Sequence, residues 1–318
     1  MQKKRVVLGA GPLGLAVMEE LLKQGKSVKV ISKSGKASVP NGVECMKCDV
    51  KDLDQLRNSL HNASIIYHCI GLPYQDWQTQ FPEIMDNIIQ VASENGAKIV
   101  YGDNLYGYGP QKVPLHEEMA YKPVGKKTKV RAEVATTLME AAKNGKVQAT
   151  IGRGSDFFGP RVKNAILGER VFTHLLDEKP VELIGNPDTI HSHIYIKDFA
   201  RGLVILDDQK SANGEIWHIP HAKPTSTRDL VEQVSHKLNK KLKYRIANKF
   251  IITIGGLFNS DMKEFKELMY QQVNDFTVDS SKFTNKYEFH VTPYEEAIDE
   301  TVAWYLKEQE RKGEAVIS

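Results

Sequence analysis

Apolar residues alternate between two spacings along the first 160 residues. Arg5 to Leu8 is a short β-branched run bounded by glycine, the mark of a buried strand. Leu15, Met18, Leu21 and Leu22 then recur at helical spacing, and Gly25 supplies a stop signal. Val28 to Ile31 predicts a second strand. "GVECMKCDVKD" predicts a third strand ending at Asp49, "DLDQLRNSLHN" a helix, and "ASIIYHCIGLP" a fourth strand ending in a turn at Gly71. "DWQTQFPEIMDNIIQVASENG" is a long amphipathic helix, and "AKIVYGDN" a fifth strand. Strand and helix in alternation specify an α/β fold. The expected form is a doubly wound parallel Rossmann sheet, with ligands at the carboxyl ends of its strands.

The first turn carries the clearest chemistry. Gly9, Gly11 and Gly14 form G-x-G-x-x-G between a strand and a helix, with Pro12 and Leu13 inside the motif. Gly9 makes the turn, Gly11 lets backbone amides approach a pyrophosphate, and Gly14 lets helix and strand pack closely. An acid at the end of the second strand would accept from a ribose hydroxyl; Ser32 and Lys33 stand there instead, with Lys36 nearby. A hydroxyl and an ammonium favour NADP over NAD, unless Lys33 is a solvated loop lysine.

Composition narrows the picture. The 318 residues are 41% hydrophobic and 26% charged, as in a globular protein. The 43 basic and 40 acidic side chains are interspersed, which argues against nucleic acid as a partner. Three cysteines make no disulfide framework and fit a reducing cytoplasm. Cys45 and Cys48 form a lone C-x-x-C inside a strand, so no metal site is expected. Lys3, Lys4 and Arg5 before the apolar run imitate a secretion leader, but no small-residue cleavage site follows. The run "FIITIGGLF" at 250–258 is far short of the roughly 20 residues that span a membrane.

The order of the segments resembles the extended or atypical short-chain dehydrogenase/reductases of the NAD-dependent epimerase/dehydratase type, across nearly the whole chain. "CDVKD" matches the adenine contact, at Asp49 and Val50. "IIYHCIGLP" matches the strand beside the cofactor, at Cys69, Ile70 and Gly71. "IVYGDNLYGYGP" is similar to the fifth strand and its S-x-x-x-Y-G continuation. "TIGRGSDFFGP" is similar to the turn near the nicotinamide, at Arg153 to Pro160. "HSHIYIKDFARGLVILDD", "GEIWHIP" and "TPYEEAIDETVAWYLKE" match a later helix, the strand returning after it and the C-terminal helix. The implied organisation is a dinucleotide-binding domain over 1–160 with 188–221 returning to it. Residues 161–187 and 222–318 would form a smaller C-terminal α+β substrate lobe.

The resemblance also marks what is missing. The family helix carries Y-x-x-x-K and then an acid. Here the register is Gly125-Lys126-Lys127-Thr128-Lys129, then Glu133. The lysine is kept and the tyrosine, the family's proton donor or acceptor, is glycine. The resemblance therefore makes Lys129 a cofactor ligand and leaves Lys126 and Lys127 as a solvated helix start. Asn104 aligns with the family's Ser or Thr if Tyr108-Gly109-Pro110 is the match, and Gly102 does if Tyr106-Gly107 is. Tyr108 or Tyr106 is a candidate substrate contact, or packs the sheet edge. Ser155 is implied as a cofactor contact and Asp156 as a substrate contact or a turn cap. His191 and His193 lie on one face of a strand, and Asp198 caps a helix.

Two functions follow. One is an NAD(P)-dependent oxidoreductase or epimerase for a small polar carbonyl or hydroxyl compound, such as a sugar nucleotide. The other is a dinucleotide-binding regulator or redox sensor that transfers no hydride. The resemblance implies a homodimer through helices at roughly 77–95 and 126–143, with Ala132, Ala135, Leu138, Met139 and Ala142 either as its contacts or packed on the sheet.

Overall fold

The computed structural model describes residues 3–247 and 265–317. The apolar run at 250–258 and the start of "SDMKEFKELMYQQV" lie outside the described residues. Seven parallel strands form the central sheet: β1 (Arg5–Leu8), β2 (Val28–Ser32), β3 (Glu44–Lys47), β4 (Ile65–His68), β5 (Lys98–Asp103), β6 (Gln148–Arg153) and, later in the chain, β11 (Ile216–His218). Their order is β3-β2-β1-β4-β5-β6-β11. Arg5 pairs with Val28 on one side and Ile65 on the other, so the winding direction reverses beside β1. Such a reversal opens a crevice at the carboxyl ends of the two strands. Here the Gly9 turn faces Cys69, which follows β4: a Cβ on Gly9 would lie 2.7 Å from the Cys69 carbonyl oxygen.

Buried strands carry no polar alternation, and β1 and β4 are buried along their whole length. On one face lie α2 (Leu53–Ser59), α3 (Trp77–Asn95) and α4 (Lys126–Lys143), joined in one core with Leu8, Ile66, Ile99 and Ile151. On the other, α1 (Pro12–Lys23) packs against α6 (Ile196–Asp208), and the two meet Val7, Tyr67 and Val100. Asp52 caps α2 by accepting from the backbone amides of Asp54 and Gln55, as a helix-start aspartate should. The third strand stops at Lys47 rather than running to Asp49; its last rung is the Cys48 amide donating to the Ser32 carbonyl.

The carboxyl end of α6 is tied to the sheet by buried charge. Lys98 donates to the carbonyls of Leu206, Asp207 and Gln209, at 2.6, 3.2 and 3.1 Å. Those groups have no partner within the helix, and a cation suits that end of its dipole. Asp207, wholly buried, accepts from Arg5 Nε at 2.6 Å and from the Tyr67 hydroxyl at 2.8 Å. Asp198 does not cap α6. It lies in the first turn, where it accepts from Thr292 N and Thr292 Oγ1 and pairs with Arg201.

A second core joins α5 (Glu169–Leu176), α7 (Thr227–Lys237) and the C-terminal helix Tyr294–Ile317 through Phe172, Leu175, Val231, Ala297 and Tyr305. Two short parallel pairs flank it. β7 (Asp156–Phe158) pairs with β10 (His193–Tyr195), and β8 (Val181–Ile184) with β13 (Tyr244–Ala247), while the short β9 (Ile190–His191) pairs antiparallel with β12 (Thr225–Ser226). This second core is reached from the carboxyl end of β6, since β7 follows that strand after two residues. No helix among the described residues is long and apolar enough to cross a membrane.

Candidate active site

The glycine turn is a cradle shaped by close approach. Gly9 takes φ +103°, a conformation in which a side chain is strained. A Cβ on Gly14 would lie 1.8 Å from the Gly9 carbonyl oxygen, so only glycine lets α1 start this close to β1. Gly11 differs. A Cβ there would meet nothing within 4 Å, and Gly11 is the N-cap of α1 without any side-chain cap. The first-turn amides after Pro12, beginning with Leu13, thus stand uncapped beside open space. An uncapped helix start with a bare backbone approach suits an anion such as a pyrophosphate. These residues fit a dinucleotide.

Around the cradle, Cys69 is buried, Ile70 half-buried and Gly71 exposed. Ser32 Oγ accepts from Gly35 N at 3.1 Å. Lys33 is extended in solvent and pairs with Asp49 at 3.1 Å, so two residues expected at the adenosine end touch each other. Burial works against the Asp49 charge, but the Lys51 amide and the Lys33 ammonium hold its carboxyl below the usual range. Val50 lends its carbonyl to Asn87, which fixes the same turn to α3. The Ser155 hydroxyl is buried, with no hydrogen-bond partner among the described residues.

Helix α4 presents a different face from the one its motif suggests. Lys127, Arg131, Val134 and Leu138 form the inward stripe, at i, i+4, i+7 and i+11. Lys129, two residues from Lys127, points the other way. It is exposed and lines, with Gln78, Pro82 and Glu133, an open groove of about 580 Å³. Lys127 is the buried lysine, 4% exposed, above the Tyr74 ring and 3.7 Å from Glu267 Oε2. The placement reverses what the motif implied for these two side chains. Arg131 stacks over Trp77, Phe81 and Tyr101 and pairs with Asp103 at 3.0 Å. Arg153 also pairs with Asp103 and donates to the Tyr121 hydroxyl. One buried carboxylate therefore serves two guanidinium groups, and aromatic faces take up the remaining charge.

Tyr108 sits inside this network, not in the crevice. It is fully buried, its hydroxyl 2.9 Å from His218 Nε2 and its ring under Arg153. The packing alternative therefore describes Tyr108. Tyr106 is half-buried and positioned by Asn104, whose Oδ1 accepts from Tyr106 N at 3.0 Å. Tyr106 and Tyr74 interact through their hydroxyls, and burial, the Tyr74 phenol and the Asp156 charge push the Tyr106 phenol up. Asp156 accepts from Gln272 Nε2 at 3.0 Å and lies 3.2 Å from His191 Nε2. Burial would raise its carboxyl, but the His191 contact, the nearby His193 and Gln272 outweigh that and hold it low. The rings of His191 and His193 pack against each other at 4.6 Å, tilted by 32°.

Tyr74, Tyr106 and Asp156, each in the segment that follows β4, β5 or β6, thus cluster with Lys127, Glu267, Tyr270 and Gln272. Of these, Tyr106, Lys127 and Asp156 were visible as candidates or as a helix start. The inward stripe of α4 was legible and would have separated Lys127 from Lys129. Nothing local marked Glu267, which reaches α4 from 139 residues away.

The expected dimer contacts are largely occupied within one chain: Ala132, Ala135 and Leu138 are buried, while Met139 and Ala142 are half-buried.

Comparison with known proteins agrees with this geometry. Among solved structures, dTDP-glucose 4,6-dehydratase from Bacillus anthracis, in complex with NAD, superposes with a TM-score of 0.78 at 16% identity, covering 97% of this chain and 98% of that one. UDP-glucose 4-epimerase from Thermotoga maritima, with UDP-glucose, gives 0.76 at 16%, covering 96% and 99%. UDP-glucuronic acid 4-epimerase from Bacillus cereus, with NAD, gives 0.78 at 17%, covering 96% and 99%. Among curated proteins no sequence matches. The NAD dependent epimerase/dehydratase family matches residues 6–219, about two thirds of the chain. With the parallel seven-stranded sheet, the reversal beside β1 and the glycine cradle, that match means that this chain belongs to the NAD-dependent epimerase/dehydratase family.

Proposed function

We propose that the chain is an enzyme that binds a nicotinamide dinucleotide across the carboxyl ends of β1 and β4. It would act on a secondary hydroxyl or carbonyl of a small polar molecule of the sugar-nucleotide class. The observation that carries this reading is the open, uncapped start of α1 at Gly11, at the carboxyl end of β1. A bound nicotinamide dinucleotide supplies a hydride acceptor and donor. The chain's residues do the rest. The α1 amides at Leu13 and Gly14 hold the diphosphate. Asp49 and Val50 border the adenine, and Cys69, Ile70, Gly71 and Ser155 border the other end. Ser32 and Lys33 support NADP over NAD, since no acid ends β2 and Asp49 keeps Lys33 at that corner. Asp156 accepts from substrate hydroxyls with His191 behind it, and Tyr106, held by Asn104, donates. The relatives' structures contain NAD and UDP-glucose, which supports the ligand classes named.

A specific observation favours a second reading. Glycine at 125 and the outward Lys129 remove two groups that the family resemblance assigns to proton transfer and ribose binding. A regulator that binds the dinucleotide without turning it over would show both. Calorimetry with the oxidised and reduced forms of NAD and NADP, followed by nicotinamide absorbance with UDP-glucose, UDP-glucuronate and dTDP-glucose, separates the readings. Binding with substrate-dependent absorbance change supports the enzyme. Binding with none across the panel favours the regulator, and absence of binding removes both.

A further inference from the structure

We propose that Glu267 is the proton acceptor of this site, its carboxylate filling the space that Gly125 leaves at the head of α4. The proposal rests on the dehydrogenase reading above and adds the group that the sequence lacks. A Cβ built on Gly125 would lie 2.2 Å from Glu267 Cδ and 2.6 Å from Oε1, so the carboxyl group occupies the volume a side chain at 125 would enter. Oε1 accepts from Thr128 N at 2.9 Å. Oε2 lies 3.7 Å from Lys127 Nζ, longer than a hydrogen bond. The side chain is 17% exposed, which leaves the carboxylate sheltered but reachable.

The surroundings prepare that carboxylate. The first turn of α4 and the Lys127 ammonium both lie beside it. Thr128 Oγ1 accepts from Val124 N and Gly125 N, each at 2.9 Å, so the turn at the head of α4 against which Glu267 rests is fixed. Tyr270 follows three residues later. Burial pushes its phenol up to about 12, and the Asp156 and Glu267 charges add to this, so it stays a donor. When a secondary alcohol is oxidised here, its O–H bond breaks and the proton passes to Oε2. Its C–H bond releases hydride to the oxidised dinucleotide. A carbonyl compound and a neutral carboxyl group remain, and the reverse reaction returns both.

A mere helix cap would behave differently. Glutamine keeps an oxygen for Thr128 N and loses only the charge. Thermal melting of Glu267→Gln is expected to match the parent. Its calorimetric preference for the oxidised over the reduced dinucleotide, whose ring charge differs by one, should fall about tenfold. Turnover of whichever sugar nucleotide the parent oxidises should fall at least about a hundredfold. Gly125→Ala, which pushes the carboxylate aside without changing it, should shift the preference the same way; it carries the test if the glutamine variant melts early. Unchanged preference in both variants, with binding retained, overturns the proposal and leaves the family reading standing. A parent that binds none of the dinucleotides overturns both.

Discussion

Two glycines three residues apart have opposite physical duties. Gly14 is required by the fold, because a methyl group would collide with the Gly9 carbonyl. Gly14→Ala should therefore cost about 3 kcal/mol or more of stability, the scale of an overpacked core, in urea titration. Gly11 sits at an ordinary φ of −76° beside open space. Gly11→Ala should melt with the parent yet lose about tenfold or more in dinucleotide affinity by calorimetry, equivalent to about 1.4 kcal/mol. A variant that binds as tightly as the parent would mean that the diphosphate does not approach Gly11. The spacing G-x-G-x-x-G named both residues but could not tell them apart. That distinction depends on what lies across from each Cβ.

At the scale of the element, α4 shows where motif and periodicity disagree. The motif drew attention to Lys129; the stripe of Lys127, Arg131, Val134 and Leu138 determines which side faces the sheet. Packing wins, because burying that stripe is what fixes the helix in place. Lys129→Ala should change stability by no more than about 0.5 kcal/mol. Arg131→Ala should cost about 3–5 kcal/mol, since Asp103 then keeps one buried counter-charge and three aromatic faces lose their cation. Chemical denaturation of the two variants side by side checks the assignment; equal losses would refute it. Strands β1, β2, β4 and β5 were legible because they are largely apolar runs between turn residues. The place of Glu267 was not, because no local pattern encodes a contact with Thr128 across 139 residues.

At the scale of the whole molecule, buried imidazoles set the response to acid. Burial, then the Arg131 charge, pushes His68 down to about 3; burial, then Arg153, does the same to His218. In the unfolded chain both take up protons below about pH 6.5, while in the fold neither does until about pH 3. The unfolded state therefore binds more protons in that window. Stability should fall with falling pH by up to about 1.4 kcal/mol per unit for each histidine. Asp208 acts lower down. Burial would raise its carboxyl, but Lys26 and Lys3 bring it to about 2, so its contribution is present above about pH 4 and lost on approach to pH 2. Urea midpoints should be level from pH 8 to 7 and decline below about 6.5. His218→Gln should flatten the slope between pH 6 and 4; an unchanged slope would show that His218 titrates normally.

Asp207, wholly buried and bound to Arg5 and Tyr67, has a consequence for the order in which the molecule can be made. The first strand carries a cation whose counter-ion is translated 202 residues later. At the usual ribosomal rate of about 5–20 residues per second, that gap lasts on the order of 10–40 seconds. During this interval the nascent amino-terminal segment holds a guanidinium with no buried carboxylate to receive it. The α1 face of the central sheet is covered only when the helix ending at Asp208 has emerged, so a chain halted before that point should remain sensitive to protease.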